Sequence, residues 1–179
     1  MKEELIMLNT IYKRKSVRTY TGENISEDQL NIILKAIDAS PVGMKQYDTL
    51  HVTIITNKEL LNKIEESANK LFKREDYHPL YGAPMLILIS SKKLENMENV
   101  MYSNAAIMSH NIALAATSLN IGSCYIWGAT AALAKNEEIL KELNLPDNFI
   151  PCCAVCLGKT SELYLDQDIP ERYSKSFIK

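Results

Sequence analysis

At 179 residues, with 46% hydrophobic and 23% charged side chains, the chain has the size and composition of one globular domain with a substantial core. A net charge of -2 offers no basic face for nucleic acid, and that class of partner is excluded. The longest apolar run is broken by His110, Asn111 and Thr117 and is too short for a bilayer, while Glu3, Glu4 and Asn9 interrupt any leader-like start. A cytoplasmic protein away from the membrane is the expectation.

In chain order, Lys2 to Lys13 carries Leu5, Leu8, Ile11 and Tyr12 at helical spacing, which predicts a short amphipathic helix. The basic run Arg14-Lys15-Ser16-Val17-Arg18 follows. If extended, it projects Arg14, Ser16 and Arg18 to one side and Lys15 and Val17 to the other. Two guanidinium groups and a hydroxyl on one side can grip a phosphate through charge-assisted hydrogen bonds. Taken alone, the same run also reads as solvated surface.

Ser26-Glu27-Asp28-Gln29 has the capping-box pattern, opening a helix that buries Leu30, Ile33, Leu34 and Ile37 and ends before Pro41. The loop from Pro41 to Tyr47 leads to a strand over Leu50 to Thr56. A helix capped by Asn57 then runs from Lys58 to Leu71. The polar stretch Lys73 to Gly82 ends it. The following strand, Met85 to Ser90, is apolar nearly throughout, which predicts burial on both faces.

The segment from Asn104 to Leu119 lacks Gly and Pro and carries apolar residues on nearly every side. A long central helix is expected there, stopped by Asn120 and Gly122. One sheet covers only one side of such a helix, so a second copy of the chain is the expected cover; an Ala-rich helix with a half-exposed face is the alternative. A strand over Ser123 to Trp127, a helix from Asn136 to Leu143 and a strand over Cys152 to Leu157 complete an α/β or α+β layered domain. From Gly158 onward the chain is polar and needs docking to be ordered.

Cys152, Cys153 and Cys156 lie in a strand pattern without further ligands at metal spacing, and reduced core thiols are the expectation. His51 and His110 fall within elements and read as core or boundary residues, whereas His78 sits in a polar connection from which it could reach a pocket. There is no Gly-x-Gly-x-x-Gly, Walker loop, His-Glu-x-x-His or nucleophile elbow.

Arg14-Lys15-Ser16-Val17-Arg18-Thr19-Tyr20, the helix ending at Ala39-Ser40-Pro41, the central helix with Asn111 and Leu114-Ala115-Ala116, and the closing Gly158, Pro170 and Arg172 occur in an order that resembles the nitroreductase family over nearly the whole chain. The resemblance implies a single α+β domain spanning residues 1–179. Its architecture would be a three-layer fold, with a mixed central sheet flanked by helices and the long helix at a homodimer interface. It further implies FMN as cofactor, NADH or NADPH as donor, and nitroaromatics, quinones or other small molecules as acceptors. Chemistry of this kind resides on the flavin, so no catalytic side chain is implied.

By the same resemblance Arg14, Lys15 and Ser16 hold the phosphate and ribityl chain, and Arg18 lies near the pyrimidine edge. Pro41, Val42, Gly43 and Met44 line the ring across the dimer interface, with Met44-Lys45 standing where the family carries a polar Asn. Tyr125, Ile126, Trp127 and Gly128 approach the reactive edge, where a backbone N–H meets the flavin nitrogen that receives hydride. Lys159 and Arg172 fall near the C-terminal phosphate contacts, in a tail (159–179) docked on the partner subunit. The short connection from Lys73 to Pro84 leaves a small or open substrate pocket. Two other classes stay open: a flavin sensor or store without NAD(P)H turnover, and an interaction domain that binds no flavin.

Overall fold

The computed structural model describes residues 5–178. Lys2, Glu3 and Glu4 of the expected first helix, and Lys179 of the tail, lie outside the described residues. Among the described residues six α-helices and four strands follow in chain order, with two short 3-10 turns (Gly43–Lys45 and Tyr47–Thr49) before the first strand: α1 (Leu5–Lys13), α2 (Glu27–Asp38), β1 (Leu50–Ile55), α3 (Lys58–Phe72), β2 (Met85–Lys92), α4 (Glu98–Ser118), β3 (Gly122–Tyr125), α5 (Trp127–Leu133), α6 (Glu137–Glu142) and β4 (Phe149–Gly158).

The local signals explain most boundaries. Ser26 and Gln29 form the reciprocal capping box that starts α2, with bonds of 3.2 and 3.0 Å. The Asn57 side chain accepts from the Leu60 N–H at 3.0 Å and starts α3. Asn136 does the same for Glu138 and Ile139 at the head of α6. Asn120, in the left-handed region at φ 55°, turns the chain out of α4.

The strands run in the order β1-β2-β4-β3. Every pairing among the described residues is antiparallel, where a mixed sheet was expected; chain-local patterns carry no information on strand direction. β2 is central and buried on both faces, in keeping with its apolar run. Leu86, Leu88, Ala154 and Cys156 point to one side and pack against Leu61 and Ile64 of α3, Ala129 and Leu133 of α5, and Ile139 of α6. Met85, Ile87, Ile89, Val155 and Leu157 point to the other, against Ile33 and Ile37 of α2 and Ala105, Met108, Ile112 and Ala116 of α4. The result is three layers, helix–sheet–helix, with two apolar interiors. Leu88, fully buried in the middle strand, reports on this packing: Leu88→Ala lowers the unfolding free energy in urea by about 3–4 kcal/mol.

Two elements differ from expectation. Trp127 opens α5 instead of ending β3, because Ala129, Ala132 and Leu133 recur at helical spacing and bury that face against α3 and β4. Pro151 lies inside β4, which begins at Phe149 and not at Cys152. The register shifts between Ile89 and Ser90, so Cys152 is the extra residue of a bulge, and such irregularities accommodate proline.

α4 is half covered. Its buried side packs on the sheet and α2, while Tyr102 (48% exposed) and Ile107 (38%) lie open beside Ala106. The tail divides in two. Thr160, Tyr164 and Gln167 hydrogen-bond to Thr19, Ile121 and Lys13 of the same chain. Beyond them Ile169, Tyr173, Phe177 and Ile178 are exposed.

Candidate functional site

The site is built on the edge strand β3. The segment after α1 is extended and lies along that edge, with the Val17 N–H donating to the Ser123 carbonyl at 2.9 Å. Val17 is fully buried, so residues on either side of it in the alternation face the other way. The Arg14 guanidinium stands over the Tyr125 ring, 5.8 Å from its centroid. The Ser16 hydroxyl meets the thiol of Cys124. The Arg18 guanidinium stands 5.6 Å over Tyr81, whose side chain hydrogen-bonds to it and holds its pKa above the ordinary arginine value. Two cations and a hydroxyl therefore converge at the tip of β3.

Glycines make this approach fit. Gly122 faces Gly158 across the β3–β4 pair. A Cβ on Gly122 would stand 3.0 Å from the Tyr20 ring and 3.1 Å from Val17, so the basic segment rests on bare backbone.

His110 of α4 completes the tip. Its Nδ1 and the Tyr125 hydroxyl are hydrogen-bonded at 2.7 Å, and the two rings stack with 11° between their planes. Burial, reinforced by the Arg14 charge, lowers the His110 pKa and favours the neutral imidazole. Tyr125 is thus clamped between His110 and Arg14. Sequence reasoning placed His110 as a boundary residue and missed this role; its partner lies 15 positions away across a turn.

The other expected ring-lining residues lie where α5 begins. Ile126 is buried and donates its N–H to the Ala154 carbonyl at 2.9 Å. Trp127 is 76% exposed and packs one edge on Phe72, 5.9 Å between centroids. Gly128 is buried, and the space its Cβ would take is filled by the Tyr77 hydroxyl.

The loop of Pro41, Val42, Gly43 and Met44 is held elsewhere on α4. The Gly43 N–H donates to Asn104 Oδ1 at 3.0 Å, and Asn111 Nδ2 donates to the Ser40 hydroxyl at 2.8 Å. At ~100° per residue, Asn104 and Asn111 share one side of the helix while His110 lies about a third of a turn away. No described contact joins this loop to Arg14, Ser16 or Arg18 within one chain. Met44 is 61% exposed with φ 55°, presenting a thioether as its departure from the family's Asn implies. Asn104 was legible only as a helix residue, yet it is buried and anchors the loop. Asn104→Ala destabilises the protein by about 1–2 kcal/mol in urea unfolding, because the Gly43 N–H loses its acceptor.

Of the other basic residues expected at the cofactor, two are held in ion pairs. Lys15 pairs with Glu162 at 2.7 Å and lies 5.9 Å over the Tyr164 ring. Lys159 pairs with Glu23 at 2.6 Å. Arg172 is exposed in the tail and makes no ion pair or hydrogen bond among the described residues. His78 contacts Glu65 at 3.3 Å, beside a hollow of about 290 Å³ lined by Leu61, Glu65, Leu80 and Pro84, not at the tip of β3. The cysteines are strand residues, and burial raises the pKa of all four thiols, Cys152 to about 11. Among the described residues no cluster of His, Cys, Asp and Glu has metal-binding geometry, and no helix is long and apolar enough to cross a membrane.

The chain is thus a layered α+β domain with arginine and serine side chains set along one sheet edge, over a strand end that faces glycine. The model of the nitroreductase family matches residues 11–159, and the chain belongs to that family. An FMN-bound nitroreductase from Bacteroides fragilis superposes with a TM-score of 0.81 at 29% identity, covering 97% of this chain and 99% of that one. An FMN-bound nitroreductase from Desulfitobacterium hafniense gives the same TM-score at 25% identity, covering 97% and 98%. An FMN reductase (NADPH) of Bacillus subtilis is 25% identical over 170 residues, 87% of this chain and 66% of its own.

Proposed function

We propose that the protein is an FMN-dependent oxidoreductase that takes hydride from NADH or NADPH and reduces small acceptors such as quinones and nitroaromatics. The observation that carries this reading is the convergence of Arg14, Ser16 and Arg18 on the tip of β3. The donor set fits FMN: the Arg14 fork and the Ser16 hydroxyl suit the phosphate and ribityl chain, and Arg18 suits the pyrimidine edge. Lys159 and Arg172 are further candidates for the phosphate.

When bound, FMN supplies the two-electron chemistry. The chain supplies the rest. A fixed cation at Arg18 favours negative charge on the neighbouring ring edge and raises the reduction potential. The Gly128 N–H is the donor proposed for the nitrogen that receives hydride. The exposed indole of Trp127 offers an aromatic wall beside that edge. Donor and acceptor take the same open face in turn, which gives ping-pong kinetics.

The reading includes a homodimer. The open stripe of Tyr102, Ala106 and Ile107 on α4 and the exposed apolar tail support it. So does the loop of Pro41 to Met44, which takes a place at the flavin if the partner's cradle lies opposite it. Sedimentation reads the assembly directly, and a monomer at micromolar concentration would refute it.

An absorbance spectrum of the protein with FMN, before and after anaerobic NADH or NADPH, tests the function. Flavin bands that bleach are expected. Bands that persist with both nicotinamides would instead support a flavin sensor or store, and failure to bind FMN would overturn the site.

A further inference from the structure

The connection between α3 and β2 fixes one side chain firmly. The Tyr77 ring meets Phe72 edge-on, with centroids 5.6 Å apart and planes at 85°. The Arg74 guanidinium covers its face at 4.9 Å from the centroid. Contacts to an edge and a face set both the position and the tilt of the ring. They direct the hydroxyl to Gly128, with ring carbons 3.1 and 3.3 Å from the place a Cβ would occupy. Among the described residues this hydroxyl has no hydrogen-bond partner, and Tyr77 is half-buried, so the O–H is oriented and free.

Resting on the function proposed above, we propose that Tyr77 is a catalytic residue that donates its hydroxyl proton to a quinone reduced beside Gly128. A quinone that accepts a hydride at one oxygen gains two electrons and one proton and is left with negative charge on the other oxygen. The product hydroquinone needs one more proton. The Tyr77 O–H bond breaks, a new O–H bond forms on the quinone oxygen, and water reprotonates the tyrosine. Reduced nicotinamide is the source of the hydride. Proton transfer from a positioned hydroxyl to the charge left on the acceptor is general acid catalysis. Arg74, over the ring, stabilises the transient phenolate.

Tyr77→Phe removes the hydroxyl and keeps the ring contacts with Phe72 and Arg74. With FMN bound, the variant is expected to match the wild-type protein in FMN affinity and in bleaching by nicotinamide. Its reoxidation by benzoquinone falls about 100-fold. Reoxidation by ferricyanide, which takes electrons and no proton, is unchanged. A readout without turnover is the binding of 4-nitrophenolate, a stable phenolate, to the oxidised protein; the variant binds it about tenfold more weakly. Equal quinone rates in both proteins, equal losses with both acceptors, or unchanged nitrophenolate binding would overturn the role of Tyr77 alone. Wild-type protein that binds no FMN or does not bleach would overturn the proposed function and this role together.

Discussion

Gly158→Ala lowers the unfolding free energy by about 3 kcal/mol and weakens FMN binding along with it. The added Cβ would stand 2.5 Å from Pro84 Cδ, 3.0 Å from Pro84 Cγ and 3.0 Å from Tyr20 Cδ1. A proline ring cannot rotate out of the way, and Pro84 is fixed where the chain enters the central strand β2. Relief must come from Tyr20, whose hydroxyl donates to the Val17 carbonyl at 3.1 Å and thereby shapes the Arg14 to Arg18 segment. A structural glycine thus becomes a determinant of cofactor affinity. Gly22→Ala is the comparison: φ is +83° with nothing within 4 Å of the new Cβ, so only backbone strain of about 1–2 kcal/mol is expected. Urea unfolding and FMN titration on both variants decide the matter. A Gly158→Ala protein of native stability would show that the floor of the cradle is softer than its contacts imply.

Arg14→Ala raises the FMN dissociation constant about 100-fold or more while leaving stability within about 1 kcal/mol of the starting protein. The asymmetry arises because the Arg14 head makes a face contact with Tyr125 and no ion pair among the described residues, so its donors are available to a phosphate. Arg14→Lys keeps the charge and loses the fork, and recovers only part of the affinity. Lys159→Ala has a smaller effect, since that ammonium is already held by Glu23. Fluorescence titration with FMN gives the order directly. Should Lys159 or Arg172 outrank Arg14, the phosphate sits against the tail and not at β3.

What the sequence discloses and what it hides divide along a physical line. Short-range devices are legible: Ser26 with Gln29, Asn57 with Leu60, and the two-sided burial of β2 follow from residues a few positions apart. The alternation that places Arg14, Ser16 and Arg18 opposite Val17 is equally local. The site's remaining supports are not. Asn104 meets Gly43 across 61 positions, and nothing near either residue announces the bond. Tyr77 and Tyr81 lie in a stretch that reads as polar filler until packing places them against Gly128 and Arg18. α5 was missed because Tyr125-Ile126-Trp127 reads as the end of a strand, and its short run of alanines and Leu133 gains its meaning from α3.

The register of the sheet also sets the order in which the protein can be made. β1 and β2 are near neighbours in sequence and can pair as soon as both have left the ribosome. The strongest apolar strand has its other partner almost at the far end of the chain, since Met85 pairs with Leu157. Until β4 emerges, β2 has one unpaired edge and both interiors lack part of their shared wall. Non-local pairing of this kind slows folding and prolongs exposure of sticky surface. Nascent or truncated chains that stop short of Phe149 are therefore the forms of this protein most in need of a chaperone.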